Sequence, residues 1–179
     1  KLLVVDDGSK DNTWKVLQEL SARYQNLIVQ TKKNEGHGPT VIYAYKQAIN
    51  AGADYIFQTD SDGQTNPEEF QSFWECRYSF DAIFGVRKIR GDGKGRKFVE
   101  DVLCKILKII FKVNIADSNA PFRLFKCENL QRQLSKIPDD FNLPNAMLTV
   151  LFVKNEEDVT FQEISFKPRQ AGTNSINIK

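Results

Sequence analysis

Two carboxylates one residue apart are the part of this sequence best suited to chemistry. They are Asp60 and Asp62, in Tyr55-Ile56-Phe57-Gln58-Thr59-Asp60-Ser61-Asp62-Gly63-Gln64. Tyr55 to Thr59 is rich in aromatic and β-branched residues and reads as a buried strand. In extended backbone, residues i and i+2 project to one side, so both acids are expected to converge on one object. A hard divalent cation suits such a pair: Mg²⁺ is usually held by one or two carboxylates, with substrate phosphates and water completing its shell. The carboxyl ends of parallel strands are also where open α/β sheets bind ligands. The same residues are good turn chemistry, since Asp and Ser bond nearby backbone and Gly accepts positive φ. The rest of the chain has to decide between a cation site and a plain turn.

Further groups capable of chemistry lie at similar punctuation points. Lys1 to Val5 runs into Asp6-Asp7-Gly8-Ser9-Lys10-Asp11-Asn12-Thr13. Asn34-Glu35-Gly36-His37-Gly38-Pro39 is a Gly-rich loop holding the single histidine, which could contact a ligand or be an ordinary turn residue. Residues 87–97, from Arg87 through Arg90 to Arg96-Lys97, place three glycines among basic side chains. That segment is either a solvated loop or a clamp for phosphate oxygens, for which a guanidinium fork is geometrically suited. Asp117-Ser118-Asn119-Ala120-Pro121-Phe122-Arg123 is a turn leading into an extended piece, and a polar loop around Arg169 closes the chain.

The elements that must position these groups follow from periodicity. Asp11 is placed to cap a helix whose apolar face is Trp14, Leu17, Leu20 and Tyr24. Leu27 to Gln30 is a strand, about 40–51 a helix with Gly52 as its C-cap, and Asn66-Pro67-Glu68-Glu69 opens a third helix. Phe80 to Val86 is another strand. Strand and helix alternating in this way predict an α/β fold, a mostly parallel central sheet with helices on both faces. Residues 98–113 form an amphipathic helix in which Lys105, Lys108 and Lys112 flank a broad apolar arc. Such an arc faces a core by default, but interfacial helices on anionic bilayers share its composition. Helices over Glu128–Leu134 and Asn145–Val153 precede a late strand within Val159–Phe166, whose alternation slips by one residue and marks a bulge.

Composition narrows the class. The 179 residues, 41% of them apolar and 13 of them Phe, suit one globular domain. A net charge of +2 gives no argument for nucleic acid. Cys76, Cys104 and Cys127 lack metal-ligand or CxxC spacing and read as small buried hydrophobes in a reducing compartment. No stretch has the length and apolarity of a membrane span. No Gly-x-Gly-x-x-Gly follows the first strand, so a Rossmann dehydrogenase is unsupported.

Residues 4–13, with Asp6-Asp7-Gly8-Ser9, and the Asp60-Ser61-Asp62 motif resemble the family 2 glycosyltransferases of GT-A fold. Gln64, the 117–123 segment and the closing Arg169-x-x-Gly172-x-x-Ser175 are most similar to the polyprenyl-phosphate sugar synthases within that family. The resemblance implies one GT-A domain over 1–179 that lacks its first strand, with room for a C-terminal continuation. It implies an inverting transfer of a hexose from a nucleotide-sugar donor to a polyprenyl-phosphate acceptor. Asp6, Asp7, Gly8 and Gly38 would hold the nucleotide-sugar, Asp60 its ribose or sugar side, and Asp62 with Asp60 the Mg²⁺ or Mn²⁺. Gln64 would complete the diphosphate environment. Arg87, Arg90, Arg123 and Arg169 would receive the acceptor phosphate, and the lysine-flanked helix would rest on the cytoplasmic membrane surface, placing the protein at the inner face.

A saccharide acceptor and a non-catalytic GT-A binding module are the competing readings. Residues 141–147 carry no acid where the family often has one. Asp117, Asp139 and Asp140 remain as candidate bases, and this favours an acceptor that is already an anion.

Overall fold

The computed structural model describes residues 1–87 and 94–168, and for 94–97 the backbone alone. Arg90 and Arg169 therefore lie outside the described residues. The chain runs β1 (Leu2–Asp6), α1 (Thr13–Arg23), β2 (Leu27–Thr31), α2 (His37–Asn50), β3 (Tyr55–Thr59), a 3₁₀ turn (Pro67–Glu69), α3 (Phe70–Glu75) and β4 (Ala82–Val86). It continues through α4 (Lys94–Phe111), β5 (Phe122–Lys126), α5 (Cys127–Leu134), α6 (Pro144–Lys154) and β6 (Val159–Glu163).

β1 and β2 pair in parallel, Asp6 opposite Thr31. The other strands form a sheet in the order β3-β5-β4-β6. β4 and β6 are parallel, whereas β5 runs antiparallel between β3 and β4. β3, β4 and β6 thus point one way, and β5 runs against them. That reversal matters for the site. Phe122, at the start of β5, pairs with Thr59, at the end of β3. The 117–121 turn therefore arrives at the same sheet edge as the residues that follow β3 and β4.

Alternation along the strands sorts their side chains to two covered faces. Ile56, Ala82, Phe84 and Phe125 pack with Ile42 and Tyr45 of α2 and with α5 and α6. Tyr55, Phe57, Ile83, Phe122 and Leu124 pack with Phe73, Phe70 and Trp74 of α3. Helices on both faces are what the alternating pattern predicts. The slip after Phe161 is where β6 ends: Phe161 packs on the first face, while Ile164 is buried on the second.

Three local expectations shift. α2 begins at His37, not 40, because Pro39 is tolerated in a first turn, where its missing N–H costs nothing. Its C-terminus is as expected, with Gly52 at φ +73 just beyond. Asp11 accepts the Thr13 N–H at 2.9 Å, although the helix boundary falls at Asn12. The 98–113 helix starts four residues earlier, at Lys94.

α4 packs on the core along one side only. Leu103, Leu107 and Phe111 pack onto Ala146 and Val150 of α6. Phe98, Val99, Val102, Ile106, Ile109 and Ile110 face outward, with Ile109 79% and Phe98 68% exposed. At 100° per residue these six occupy one 120° arc beside the core-facing residues, and Lys105, Lys108 and Lys112 lie on its other flank. None of the helices among the described residues is long and apolar enough to cross a membrane.

Candidate functional site

Asp6, Asp60 and Arg87 sit where β1, β3 and β4 stop, and backbone geometry fixes how. Asp6 ends β1 with its carboxylate buried. It accepts the Thr31 hydroxyl at 2.8 Å and the Ser9 N–H at 3.2 Å. Asp7 accepts from the Glu35 and Gly36 N–H groups, at 3.1 and 3.0 Å, and from Lys32 Nζ at 3.2 Å. Burial works against ionisation of both. For Asp6 the Ser9 and Thr31 bonds outweigh it, and for Asp7 the Glu35 N–H, the Thr40 hydroxyl and Lys32 do so. Both carboxyls are held below their ordinary range. Gly8 takes φ +66 in close approach to this loop, and a Cβ there would lie 2.9 Å from the Asn34 nitrogen. The two acids thus pin the 31–36 loop around the start of α2.

Gly38 serves packing rather than direct approach to a ligand. A Cβ on it would meet the Phe141 carbonyl and lie 2.6 Å from Asn142 Cα, so α2 rests directly on the loop that precedes α6. Gly38→Ala is expected to cost about 1–3 kcal/mol of overpacking. The melting temperature should fall by roughly 3–10 °C, which thermal unfolding followed by circular dichroism will show. His37 is exposed on the outer side of the same turn.

At the end of β3 the chain leaves the strand after Thr59 and bends through Ser61–Gly63. The i, i+2 convergence expected of extended backbone therefore does not apply to Asp60 and Asp62. Asp62 instead folds back, its Oδ1 accepting the Gln64 N–H at 3.1 Å, and Gly63 supplies φ +72. Gln64 is buried and its Nε2 donates to the Lys167 carbonyl at 3.0 Å, while Lys167 N–H donates to the Gln64 carbonyl at 2.7 Å. Its amide thus fastens the loop to 166–167, where Thr65 bridges Phe166. Among the described residues no group of three or more His, Cys, Asp or Glu forms a metal cage. A two-carboxylate donor set still fits Mg²⁺ or Mn²⁺, whose remaining positions substrate phosphates and water fill.

Arg87 follows β4, nearly buried, with its guanidinium 5.1 Å from the Phe166 ring centre. Asp117 grips it along one edge: Nε and Nη2 each donate at 2.8 Å, and the Arg87 N–H adds a third bond at 3.1 Å. Burial opposes the Asp117 charge, but the Arg87 bonds and charge and the Asn119 N–H outweigh it and hold this carboxyl low. Asp117 is therefore a fixed counter-ion, not a base awaiting a proton. Asp139 is paired with Lys46 on the surface.

Arg123 departs furthest from expectation. It is completely buried, donating to the carbonyls of Ala120 at 2.7 Å, Ser118 at 2.6 Å and Asn145 at 2.7 Å, and to the Thr149 hydroxyl at 3.0 Å. Burial pushes its pKa down to about 10, so it stays charged near neutral pH. A side chain so engaged holds the 117–120 turn against α6, and it is not placed to receive an acceptor phosphate.

Residues the sequence left unassigned complete the arrangement. Glu100 of α4 accepts both the N–H and the hydroxyl of Ser118, each at 2.8 Å, and lies 3.6 Å from Arg87 Nη2. An acid on the buried arc of an amphipathic helix, 20° from Leu107 on the helical wheel, was the available signal. Contacts thus run from the Asp60–Gln64 loop through 166–167 to Arg87, Asp117 and Arg123, and on through Asn145 and the 141–142 loop to α2 and Asp7. The cysteines are all unpaired and half-buried, and burial, with Glu100 nearby, pushes Cys104 up to about 11.

Comparison with known proteins gives this arrangement its family. The undecaprenyl-phosphate mannosyltransferase of Micrococcus luteus is 26% identical over 138 residues, 73% of this chain and 56% of that protein. The dolichol-phosphate mannosyltransferase of Pyrococcus furiosus is 33% identical over 92 residues, 51% of this chain and 25% of its own length. The chain thus spans about half or less of these relatives. Among solved structures, mannosyltransferase PcManGT from Pyrobaculum calidifontis, in complex with GDP-Man and Mn²⁺, matches with a TM-score of 0.58 at 16% identity, over 92% of this chain and 46% of that one. S. aureus TarS 1–349 matches with a TM-score of 0.59 at 17% identity, over 93% of this chain and 50% of that one. The fold is of GT-A type. The profile of glycosyl transferase family 2 matches residues 1–134, and the chain belongs to that family.

Proposed function

We propose that this chain is the catalytic part of an inverting glycosyltransferase that moves a hexose from a nucleotide-diphospho-sugar to the phosphate of a polyprenyl-phosphate lipid. The observation that carries the proposal is the linkage of the Asp60–Gln64 loop, through Lys167 and Phe166, to Arg87. A diphosphate donor with its cation and a phosphate acceptor would need carboxylates and a guanidinium near one strand edge, and this linkage supports that reading. The names of the Micrococcus and Pyrococcus relatives support the acceptor class.

Asp60 and Asp62 would hold the Mg²⁺ or Mn²⁺. When bound, that ion supplies Lewis-acid neutralisation of the departing diphosphate. Asp6 and Asp7 would meet base and ribose through lone pairs their present bonds leave available, since an ionised carboxylate has about four acceptor sites. Arg87 has five N–H donors, of which Asp117 takes two, so another edge of the same guanidinium would face the acceptor phosphate. A phosphate oxygen attacks the anomeric carbon opposite the diphosphate. The carbon–oxygen bond to the diphosphate breaks, its electron pair leaves with that group, and the configuration inverts. The acceptor is already anionic, so no base has to take a proton, and Asp117 is free to serve as a counter-ion. The exposed arc of α4 with its flanking lysines would bed on an anionic bilayer, where the lipid is anchored.

Purified protein incubated with nucleotide-sugars and either polyprenyl phosphate in vesicles or oligosaccharides tests this. Glycosylated lipid phosphate is expected. Product on the oligosaccharide alone would overturn the acceptor assignment.

A further inference from the structure

α4 has two working sides. One carries the exposed apolar arc, and the other carries Glu100, turned inward with its side chain 12% exposed. Through one carboxylate oxygen Glu100 fixes the backbone and hydroxyl of Ser118, and Cys104 Sγ, one helical turn on, donates to that oxygen at 3.4 Å. The other oxygen faces Arg87 Nη2. Ser118 is adjacent to Asp117, which grips Arg87, and its carbonyl is held by Arg123. An apolar residue would have packed at this position without the desolvation cost of a buried carboxylate. A helix moves as a stiff body, so a small rotation as its outer arc meets a surface is delivered to its inner side.

We propose that Glu100 is a positioning residue that couples the seating of α4 on an anionic bilayer to the placement of the Arg87–Asp117 pair. The inference rests on the lipid-acceptor reading above and names the device by which that site senses the surface carrying its acceptor. Seating aligns the Ser118 turn, and with it Arg87, so transfer is fastest where the lipid phosphate is found.

The test separates binding, alignment and transfer. Protein is mixed with acceptor-free vesicles, either phosphatidylglycerol-containing or pure phosphatidylcholine, and followed by sedimentation and by hydrogen exchange at the Ser118 amide. Transfer to a short, water-soluble isoprenyl phosphate is followed in parallel. With anionic vesicles the parent protein sediments, its Ser118 amide exchanges roughly tenfold more slowly, and transfer to the soluble acceptor rises several-fold. Ile109→Glu, on the exposed arc, loses sedimentation and both responses. Glu100→Ala still sediments, but its ratio of rates with and without vesicles falls to about one. Glu100→Gln keeps an acceptor for Ser118 and the shape of the site, and shows an intermediate ratio. The coupling is overturned if Glu100→Ala keeps the parent ratio, if the parent sediments with unchanged Ser118 exchange, or if the parent does not bind anionic vesicles. Slowed exchange with no transfer to any isoprenyl phosphate would support the coupling and overturn the acceptor reading.

Discussion

Asp62→Asn is expected to abolish transfer while leaving the fold intact, and this one substitution separates the two meanings of the Asp60–Gly63 motif. Asp62 makes an Asx-type bond to the Gln64 N–H, which an Asn carbonyl oxygen can accept equally well. If the residue only shapes a turn, the variant keeps its activity. If it holds a cation against a departing diphosphate, the lost charge removes several kcal/mol of transition-state stabilisation, a fall in rate of about a hundred- to ten-thousandfold. Asp62→Ala removes both functions and should also lower stability. Manganese-dependent binding of a nucleoside diphosphate, measured by calorimetry, should vanish in Asp62→Asn with the melting temperature unchanged. Retained metal enhancement of that binding would sink the metal assignment.

What could be read from the sequence, and what could not, follows from which signals are local. Strand ends are marked by the residues that stop them, so Asp6, Asp60 and Arg87 were found at the ends of β1, β3 and β4 from punctuation alone. Direction within a sheet leaves no such mark. The 122–126 segment reads as extended, but nothing in Phe-Arg-Leu-Phe-Lys says that it runs antiparallel between β3 and β4. The same blindness misplaced Arg123. An arginine two residues after a proline looks like part of a binding loop until its strand proves to be an interior one, where the residue alternating with Phe122 and Leu124 lies over the Phe84 ring. The broad arc of α4 was legible as ambiguous. Only the position of α6 shows that half of it is covered. Glu100 was visible as an acid at the start of a basic helix, but its partner Ser118 lies 18 residues away across a turn, beyond the reach of periodicity.

Arg123→Met should be the most destabilising single change among the residues discussed, and its effect should be on folding rather than on acceptor affinity. The guanidinium serves three carbonyls and a hydroxyl in a place with no access to water. Thr149 Oγ lies within bonding distance of both the Ser118 and Asn145 carbonyls, at 3.1 and 2.9 Å, yet its one hydrogen can satisfy only one at a time. Each buried acceptor left unpaired costs about 1–3 kcal/mol. Removing one side of so connected an arrangement should cost about 3–5 kcal/mol, a large share of the roughly 5–15 kcal/mol by which a domain is stable. Urea unfolding will read that loss directly. Arg123→Lys keeps the charge but not the fork, and should fall between the two. Below its melting temperature the Lys variant should show an acceptor KM within about twofold of the parent, because the side chain never meets the phosphate. A KM raised a hundredfold or more, equivalent to about 2.7 kcal/mol, with stability unchanged, would return Arg123 to the acceptor site. The same result would deny that the 117–120 turn depends on Arg123 for its shape.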